Sequence, residues 1–149
     1  MDGMRPRSAL ALALAVCLTA CVAPTRTTAS YRDKAVDTAD AVVSAARTVL
    51  LAAKTGADGD AFAPNVSILI ENAETDAASA ADAFASIQPP DGESDHLRAE
   101  LLDDVNRAVD VIEHARITAR RDELERLEDV AAPLDDLADR LERFSQRYG

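Results

Sequence analysis

Apolar residues recur at alternating spacings of three and four along most of the chain from Tyr31 onward. Such spacing places them on one face of an α-helix and leaves polar residues on the other faces. The first stretch predicts a helix over residues 31–54, with Ser30 as its N-cap and with Gly56 and Gly59 stopping it. Its predicted core face is Val36, Ala39, Val43, Ala46, Leu50 and Ala53, widened by Val42 and Val49.

The same periodicity predicts two further helices. A second helix is expected over residues 63–87, with Pro64 in its first turn and the two prolines at 89 and 90 ending it. A third helix is expected over residues 95–119, with Ser94 as its N-cap. The predicted core faces are Val66, Ile70, Ala73, Ala77, Ala80, Phe84 and Ile87 on the second helix and Leu97, Leu101, Leu102, Val105, Ala108, Ile112 and Ala115 on the third.

The last apolar stretch continues in one phase across a proline. Asp122 and Glu125 resemble a capping box at its start. Pro133 should interrupt a helix interior, but it falls on the polar side of an unbroken stripe. We therefore predict one helix kinked at Pro133, with Leu127 and Leu134 buried and Pro133 exposed. A long bent helix that joins the third and fourth is an alternative, because neither glycine nor proline separates them. The predicted face is Leu124, Leu127, Ala131, Leu134, Ala138 and Leu141, flanked by Val130, Leu137 and Phe144.

Four amphipathic segments with mostly short connections predict an all-α fold, an up-down-up-down four-helix bundle over residues 31–149. The first two helices offer mainly alanine to the shared core and the last two mainly leucine, so we expect asymmetric packing. No segment shows the alternating pattern of a strand, and no repeat occurs at the period of a solenoid.

Residues 1–20 follow a different pattern, a basic start before a short apolar run. Arg5 and Arg7 precede a run of mostly alanine and leucine from Ala9 to Leu18. This run is about half the length of a membrane-spanning helix. A basic start, a short apolar core and a small-residue exit are typical of a secretory signal peptide.

The apolar run ends in Leu18-Thr19-Ala20-Cys21, which resembles the lipobox of bacterial lipoproteins. The resemblance implies cleavage before Cys21 and lipidation of its thiol, with acyl chains such as palmitate anchoring the protein on the extracytoplasmic face of the cell membrane. Cys17 fits less well, because no small residue directly precedes it. Residues 21–30 would then form a lipidated tether. An ordinary signal peptide with an incidental cysteine is the alternative.

The chain is acidic, with 16 Lys and Arg against 27 Asp and Glu and a net charge of −11. An acidic surface is not attracted to nucleic acid or to anionic lipid, so no nucleic-acid partner is expected. Contact with the membrane is therefore expected through the acyl chains on Cys21. The other expected partner is a protein of the cell envelope.

Residues with metal-binding or catalytic chemistry are few. His96 and His114 are the only histidines, and 18 residues of helix separate them by roughly 27 Å, too far to share one ion. Asp58-Gly59-Asp60 suggests a calcium loop, but Phe62 stands where another oxygen ligand is needed, so we interpret it as a turn. No metal site, cofactor or catalytic residue is predicted.

The remaining charged pairs are interpreted as surface. Neighbouring residues of a helix do not share a face, so Asp103-Asp104 and Asp135-Asp136 are expected to be solvated carboxylates rather than a catalytic acid and base. Arg120-Arg121 is expected to interact with the last carbonyls of the third helix.

These observations predict a non-catalytic, lipid-anchored helical module of the cell envelope that binds another protein or has a structural role. The alternative is a helical bundle at the membrane surface that binds a small ligand or a cation through its acidic face or an alanine-lined cavity. An enzyme with an unrecognised site is a third hypothesis.

Overall fold

The apolar stripes of the sequence come together as a four-helix bundle in the computed structural model, which describes residues 27–149. These residues contain helices and no strands, so the all-α fold class is confirmed. Cys21 and the predicted signal peptide lie outside the described residues. In chain order the elements are α1 (Thr28–Ala57), α2 (Ala63–Ala85), α3 (Gly92–Arg120), a 3-10 turn (Leu124–Arg126), α4 (Leu127–Ala131) and α5 (Pro133–Tyr148).

The bundle is flattened along one diagonal. α1 packs against α2 and against the fourth helix formed by α4 and α5, and α3 packs against the same two neighbours. α1 and α3 also touch across the centre, whereas α2 and α5 barely meet. Small side chains allow this close approach, because helix axes can come nearer where no large residue intervenes. The buried alanines of the two central helices are Ala35, Ala39, Ala45, Ala46, Ala52 and Ala53 on α1 and Ala108, Ala115 and Ala119 on α3.

Two predicted N-caps are wrong, and both helices begin earlier in the chain. The hydroxyl of Thr27 accepts a hydrogen bond from the backbone N–H of Ser30 at 3.1 Å, so Ser30 lies in the first turn of α1. A carboxylate oxygen of Asp91 likewise accepts from the N–H of Ser94 at 2.8 Å. In each case the side-chain oxygen of the residue three positions earlier accepts a hydrogen bond from the free N–H, which is the usual N-cap geometry.

The starts of α1 and α3 are joined to each other. The hydroxyl of Thr28 donates a hydrogen bond of 2.5 Å to Asp91, and Arg32 forms an ion pair of 3.2 Å with Glu93. The hydrogen bond from Thr28, followed by the one from the N–H of Ser94, holds the pKa of Asp91 below its usual value. These contacts fix the first turn of α1 against the α2–α3 connection.

The buried face of α1 agrees with the prediction at its centre and differs at one edge. The predicted core residues that are buried are Ala39, Val42, Ala46, Val49 and Ala53. Val36, Val43 and Leu50 are only half-buried, while Ala35, Ala45 and Ala52, which were not predicted, are buried. Sequence periodicity ranks valine and leucine above alanine, but the close packing of the bundle buries the smaller residues at this edge.

The end of α1 also differs from the prediction. Gly56 does not stop the helix; it is buried in the last turn, where an added Cβ would lie 3.3 Å from a methyl group of Val66. The stop follows at Gly59, whose φ of 76° lies in the left-handed region that glycine adopts without strain. Gly56 therefore serves the close packing of α1 against α2.

The core face of α2 agrees with the prediction except near its end. Pro64 lies in the first turn as expected, but Ala81 rather than Ala80 is buried. The helix ends at Ala85, and the guanidinium of Arg98 donates hydrogen bonds to the carbonyls of Ala85 at 2.5 Å and Ile87 at 2.6 Å. Arg98 thereby satisfies carbonyl groups that the end of a helix leaves free.

The fourth helix is kinked at Pro133, as predicted. Leu127 and Leu134 are fully buried and Pro133 is exposed. Ala132, between α4 and α5, keeps helical torsion angles, with φ −47° and ψ −39°, and donates to the carbonyl of Glu128 at 2.9 Å. The apolar stripe thus faces one core on both sides of the proline.

The start of the fourth helix was not predicted correctly. Asp122 has a φ of 60°, a left-handed conformation that Asp tolerates better than most residues, and this turn separates α3 from the fourth helix. Glu125 lies in the 3-10 turn, which has no side-chain cap, so the predicted capping box is absent. The alternative of one long helix joining the third and fourth is also excluded.

We expect Leu127→Ala and Leu134→Ala each to lower the free energy of unfolding by about 2–5 kcal/mol, because each removes a fully buried side chain from a packed core. Leu51→Ala is the matched control. Leu51 is exposed, so its removal should change stability by no more than about 0.5 kcal/mol. Urea unfolding followed by circular dichroism measures all three. Equal losses at positions 51 and 134 would contradict the described core.

Candidate functional site

The two histidines of the chain lie far apart on the same helix. His96 and His114 are both exposed on α3, near its two ends. Nδ1 of His114 lies 2.7 Å from the carbonyl oxygen of Asp110, one helical turn earlier, and a carbonyl can only accept this bond. Within residues 27–149, no group of three or more His, Cys, Asp or Glu is arranged to hold a metal ion.

The carboxylate pairs singled out in the sequence mostly take part in ion pairs. Asp103 pairs with Arg107 at 3.1 Å one turn along α3. Asp104 reaches across to α5 and pairs with Arg140 at 2.9 Å. These two neighbouring carboxylates therefore point to different partners. Their contacts are those of surface carboxylates, and no two of them face each other as an acid and a base would.

The loop between α1 and α2 is a turn. Asp58 is the C-cap of α1, and the N–H of Asp60 donates to the carbonyl of Thr55 at 2.9 Å. The backbone of Asp58-Gly59-Asp60 is thus used to end one helix and lead into the next. At the far end of α3, the N–H of Arg121 donates to the carbonyls of Ile117 and Thr118, which makes it a helix-end residue.

An ion-pair cluster around Arg47 joins α1 to α5. Its guanidinium contacts Asp135 at 2.5 Å, Asp139 at 2.6 Å and Glu142 at 3.2 Å. These three residues lie on successive turns of α5, so one arginine bridges more than one turn of the helix. The hydrogen bond to Asp139, then those to Glu142 and Asp135, raise the pKa of Arg47 above its usual value. The cluster stabilises the packing of α5 against α1.

A groove of about 430 Å³ lies between α3 and α5, and we call it the α3–α5 groove. Val111 on α3 and Leu137 on α5 supply apolar surface, and Pro133 borders it at the kink. Its volume is in the range of small-molecule sites, although the groove is open to solvent. The polar residues that line it are Arg107, Asp110, His114, Asp136 and Arg140.

The α3–α5 groove combines apolar surface with charged groups. Arg107 and Arg140 both have carboxylate partners, but Nε of Arg140 is buried without a hydrogen-bond partner in the structure. A ligand with an acidic head group and an apolar body would meet guanidinium groups and the side chains of Val111 and Leu137. Asp110 and Asp136 line the same groove, so its walls carry charges of both signs.

A second surface of functional interest lies where α1 turns into α2, and sequence analysis missed it. The large apolar side chains that are well exposed in residues 27–149 are all here, namely Leu51, Phe62, Ile68 and Leu69; we call this set the hairpin surface. Leu51, Ile68 and Leu69 fall off the predicted core faces of their helices, and Phe62 precedes the second helix. Their position outside the apolar stripe is the sequence feature that could have indicated this surface. Large apolar residues outside a core face must be either exposed or covered by a partner.

Comparisons of the chain with protein-family models, with curated proteins and with solved structures gave no match. Within residues 27–149, no helix combines the length and the apolar character needed to cross a membrane. The features of the chain that bear on its function are therefore the motif at Cys21, the α3–α5 groove and the hairpin surface.

We expect Arg47→Met to lower the free energy of unfolding by about 1 kcal/mol at low salt, the upper end of the range for exposed ion pairs, because three carboxylates lose their partner. The loss should shrink in about 1 M salt, where charges are screened within roughly 3 Å. Lys34→Met is the control, since Lys34 pairs with Asp37 on its own helix. Urea unfolding at the two salt concentrations measures the difference. A loss independent of salt would show that Arg47 acts through packing alone.

Proposed function

We propose that this chain is a lipid-anchored protein of the cell envelope whose helical bundle is a non-catalytic interaction module. The observation that carries the proposal is the sequence Leu18-Thr19-Ala20-Cys21 after a short apolar run with a basic start. Lipid on Cys21 would hold the protein at the membrane without a spanning helix, and more than one acyl chain is needed for stable anchoring.

The start of α1 supports a bundle held close to the membrane. Since α1 begins at Thr28, only residues 22–27 separate Cys21 from the first helix. Six residues reach at most about 20 Å when fully extended. The end of the bundle that contains the start of α1, the α2–α3 connection and Tyr148 would therefore face the membrane. The opposite end, with the hairpin surface, would face away from it.

The non-catalytic assignment is supported by the kind of contacts that polar residues make. Their carboxylates and guanidinium groups are used in caps and in ion pairs between helices, as at Asp91 and Arg47. In the α3–α5 groove, Nδ1 of His114 is hydrogen-bonded to the backbone carbonyl of Asp110 rather than to a side chain that could serve as a nucleophile. Binding is the activity that such surfaces support best.

Cys21→Ser is expected to abolish incorporation of labelled palmitate and to leave the protein uncleaved or released from the membrane, because the thiol is the acyl acceptor. Cys17→Ser is the matched control and should keep both label and membrane association. Metabolic labelling in cells and partitioning into detergent measure the two properties. If a Cys21→Ser protein is cleaved and still partitions into detergent as the wild type does, this result contradicts the anchor proposal.

A second candidate function, binding of a small amphiphile, is favoured by the α3–α5 groove. Laurate, a carboxylate on an apolar chain, is a suitable probe. A ligand that binds only the folded state at about 100 times its Kd adds roughly 2.7 kcal/mol to the free energy of unfolding. We expect laurate to raise the Tm of the wild type and to raise it less in Arg107→Ala.

Arg121→Ala is the matched control for the laurate experiment. Arg121 is an exposed arginine at the end of α3 and is absent from the lining of the α3–α5 groove. Its variant should keep the full rise in Tm. Equal losses in the two variants would indicate non-specific attraction of the carboxylate to positive charge, and no rise in the wild type would exclude laurate-like ligands.

A further inference from the structure

We propose that a small cavity beside Arg143 binds the phosphate group of a phosphate monoester. The cavity lies between α3 and α5, next to the α3–α5 groove, and has a volume of about 180 Å³; we call it the Arg143 cavity. The inference goes beyond the proposed function, because it requires neither the lipid on Cys21 nor the binding of laurate. Three observations carry it: the charges that line the cavity, the ion pairs that leave one arginine without a partner, and the size of the cavity.

Three arginines from one helix line the Arg143 cavity. Arg140, Arg143 and Arg147 follow each other at spacings of three and four along α5, so they lie on one face of that helix. Two carboxylates of α3, Glu100 and Asp104, line the same cavity. The lining therefore has one more positive than negative charge, in a chain whose net charge is −11. The α3–α5 groove, with two arginines and two aspartates, has no such excess.

Ion pairs occupy the two outer arginines and leave the middle one without a partner. Arg140 pairs with Asp104 at 2.9 Å, and Arg147 pairs with Glu100 at 2.7 Å. Arg143 lies between these pairs along α5; it is exposed and forms no ion pair within residues 27–149. Like charges three or four residues apart destabilise a helix. A bound anion would offset this repulsion.

The two carboxylates of the cavity are held at its ends by other contacts. One oxygen of Glu100 accepts from Arg147, and its second oxygen accepts a hydrogen bond of 3.1 Å from the hydroxyl of Tyr148. The side chain of Asp104 is only 20% exposed and is paired with Arg140. The counter-ion that Arg143 lacks is therefore not supplied by α3.

The size and the walls of the Arg143 cavity suit a phosphate group. Its volume equals the space of about six water molecules at roughly 30 Å³ each, which is enough for a phosphate but smaller than the usual site of a whole ligand. Leu101, Leu141 and Phe144 are buried side chains that supply the apolar part of its lining. Hydrogen bonds to a charged group are stronger beside such low-dielectric walls.

A phosphate monoester satisfies this lining better than a carboxylate does. It carries a charge of about −1.5 to −2 at neutral pH and has three strong acceptor oxygens. It can therefore accept from Arg143 and from free N–H groups of a neighbouring arginine at the same time. The planar guanidinium group of arginine matches phosphate oxygens in pairs, which adds specificity to the charge.

The Arg143 cavity and the α3–α5 groove share one residue, Arg140, which lines both. An apolar chain esterified to the phosphate could thus extend over Val111 and Leu137 of the groove. The same phosphate chemistry could come from an alkyl ester or from free phosphate. Hexyl phosphate and inorganic phosphate are the probes that distinguish these two sources.

Titration calorimetry on the full chain, purified in a non-ionic detergent, tests the proposal at constant ionic strength. We expect both probes to bind the wild type and to raise its Tm, because a ligand of the folded state stabilises it. Arg143→Gln should weaken the binding of inorganic phosphate about ten-fold, the loss expected for a hydrogen bond between charged groups. Arg143→Lys should lose less, since it keeps the charge without the planar fork.

Arg121→Gln is the matched control for the phosphate titration. Arg121 is an exposed arginine at the end of α3 and does not line the Arg143 cavity. Its variant should bind both probes as the wild type does. The Tm in phosphate-free buffer at low salt is a second readout, because Arg143→Gln removes the middle one of three like charges. We expect that Tm to be equal to the wild-type value or higher.

Three outcomes would overturn the proposal. They are no binding of either probe to the wild type, equal losses in Arg143→Gln and Arg121→Gln, and a lower Tm of phosphate-free Arg143→Gln. The last result would show that Arg143 already has a partner in the bundle. If binding depends on Arg143, tighter binding of hexyl phosphate supports an alkyl ester whose chain enters the groove, and equal binding of the two probes supports a site for the phosphate group alone.

Discussion

Close approach of α1 to its neighbours is the constraint on which the rest of the bundle depends. The chain has three Phe, two Tyr and no Trp, so large side chains cannot fill a wide space between four helices. Alanines on the central faces of α1 and α3 let these two helices meet across the short diagonal. No wide space is then left for large side chains to fill. Protein interiors must be packed to nearly crystalline density, and here the density comes from a narrow core.

The fourth helix fits this narrow core in a different way. It brings leucines rather than alanines, and its kink at Pro133 keeps Leu127 and Leu134 directed to the same interior. Ion pairs then fix it from both sides, with Arg47 of α1 on one flank and Asp104 of α3 on the other. The contacts on its two flanks are mainly polar and exposed, so apolar burial provides most of its stabilisation and the ion pairs select its rotation and position.

Sequence periodicity was a good guide to the helices and a poor guide to their ends. The stripe on α3 and the fourth helix was predicted almost residue by residue, because leucine, isoleucine and valine mark those core faces clearly. On α1 the prediction included Val43 and Leu50 and left out Ala45 and Ala52, which are buried, and only the packing partner decides such a choice. Helix starts depend on which side-chain oxygen reaches a free N–H, so Thr27 and Asp91 could not be distinguished from Ser30 and Ser94 by residue type.

The candidate surfaces were harder to predict than the core. The α3–α5 groove is formed by residues that are far apart in the chain, such as Val111 and Leu137, which 26 positions separate. It exists only because two helices pack side by side. The hairpin surface had a local signal in the apolar residues outside the stripe. That signal can be read only once the true face of each helix is known.

An even number of helices returns the chain to the end of the bundle where it started, and Gly149 accordingly lies beside Val36 in the third turn of α1. A force that pulls the first and the last residue of the bundle apart would therefore act on the start of α1 and the end of α5, which lie at the same end of the bundle. The contacts between them, including the successive pairs of Arg47 with Glu142, Asp139 and Asp135, would be loaded in sequence rather than all at once. In this geometry the two helices separate progressively from one end. The resistance to force then depends on the rate at which each turn of α5 detaches from α1.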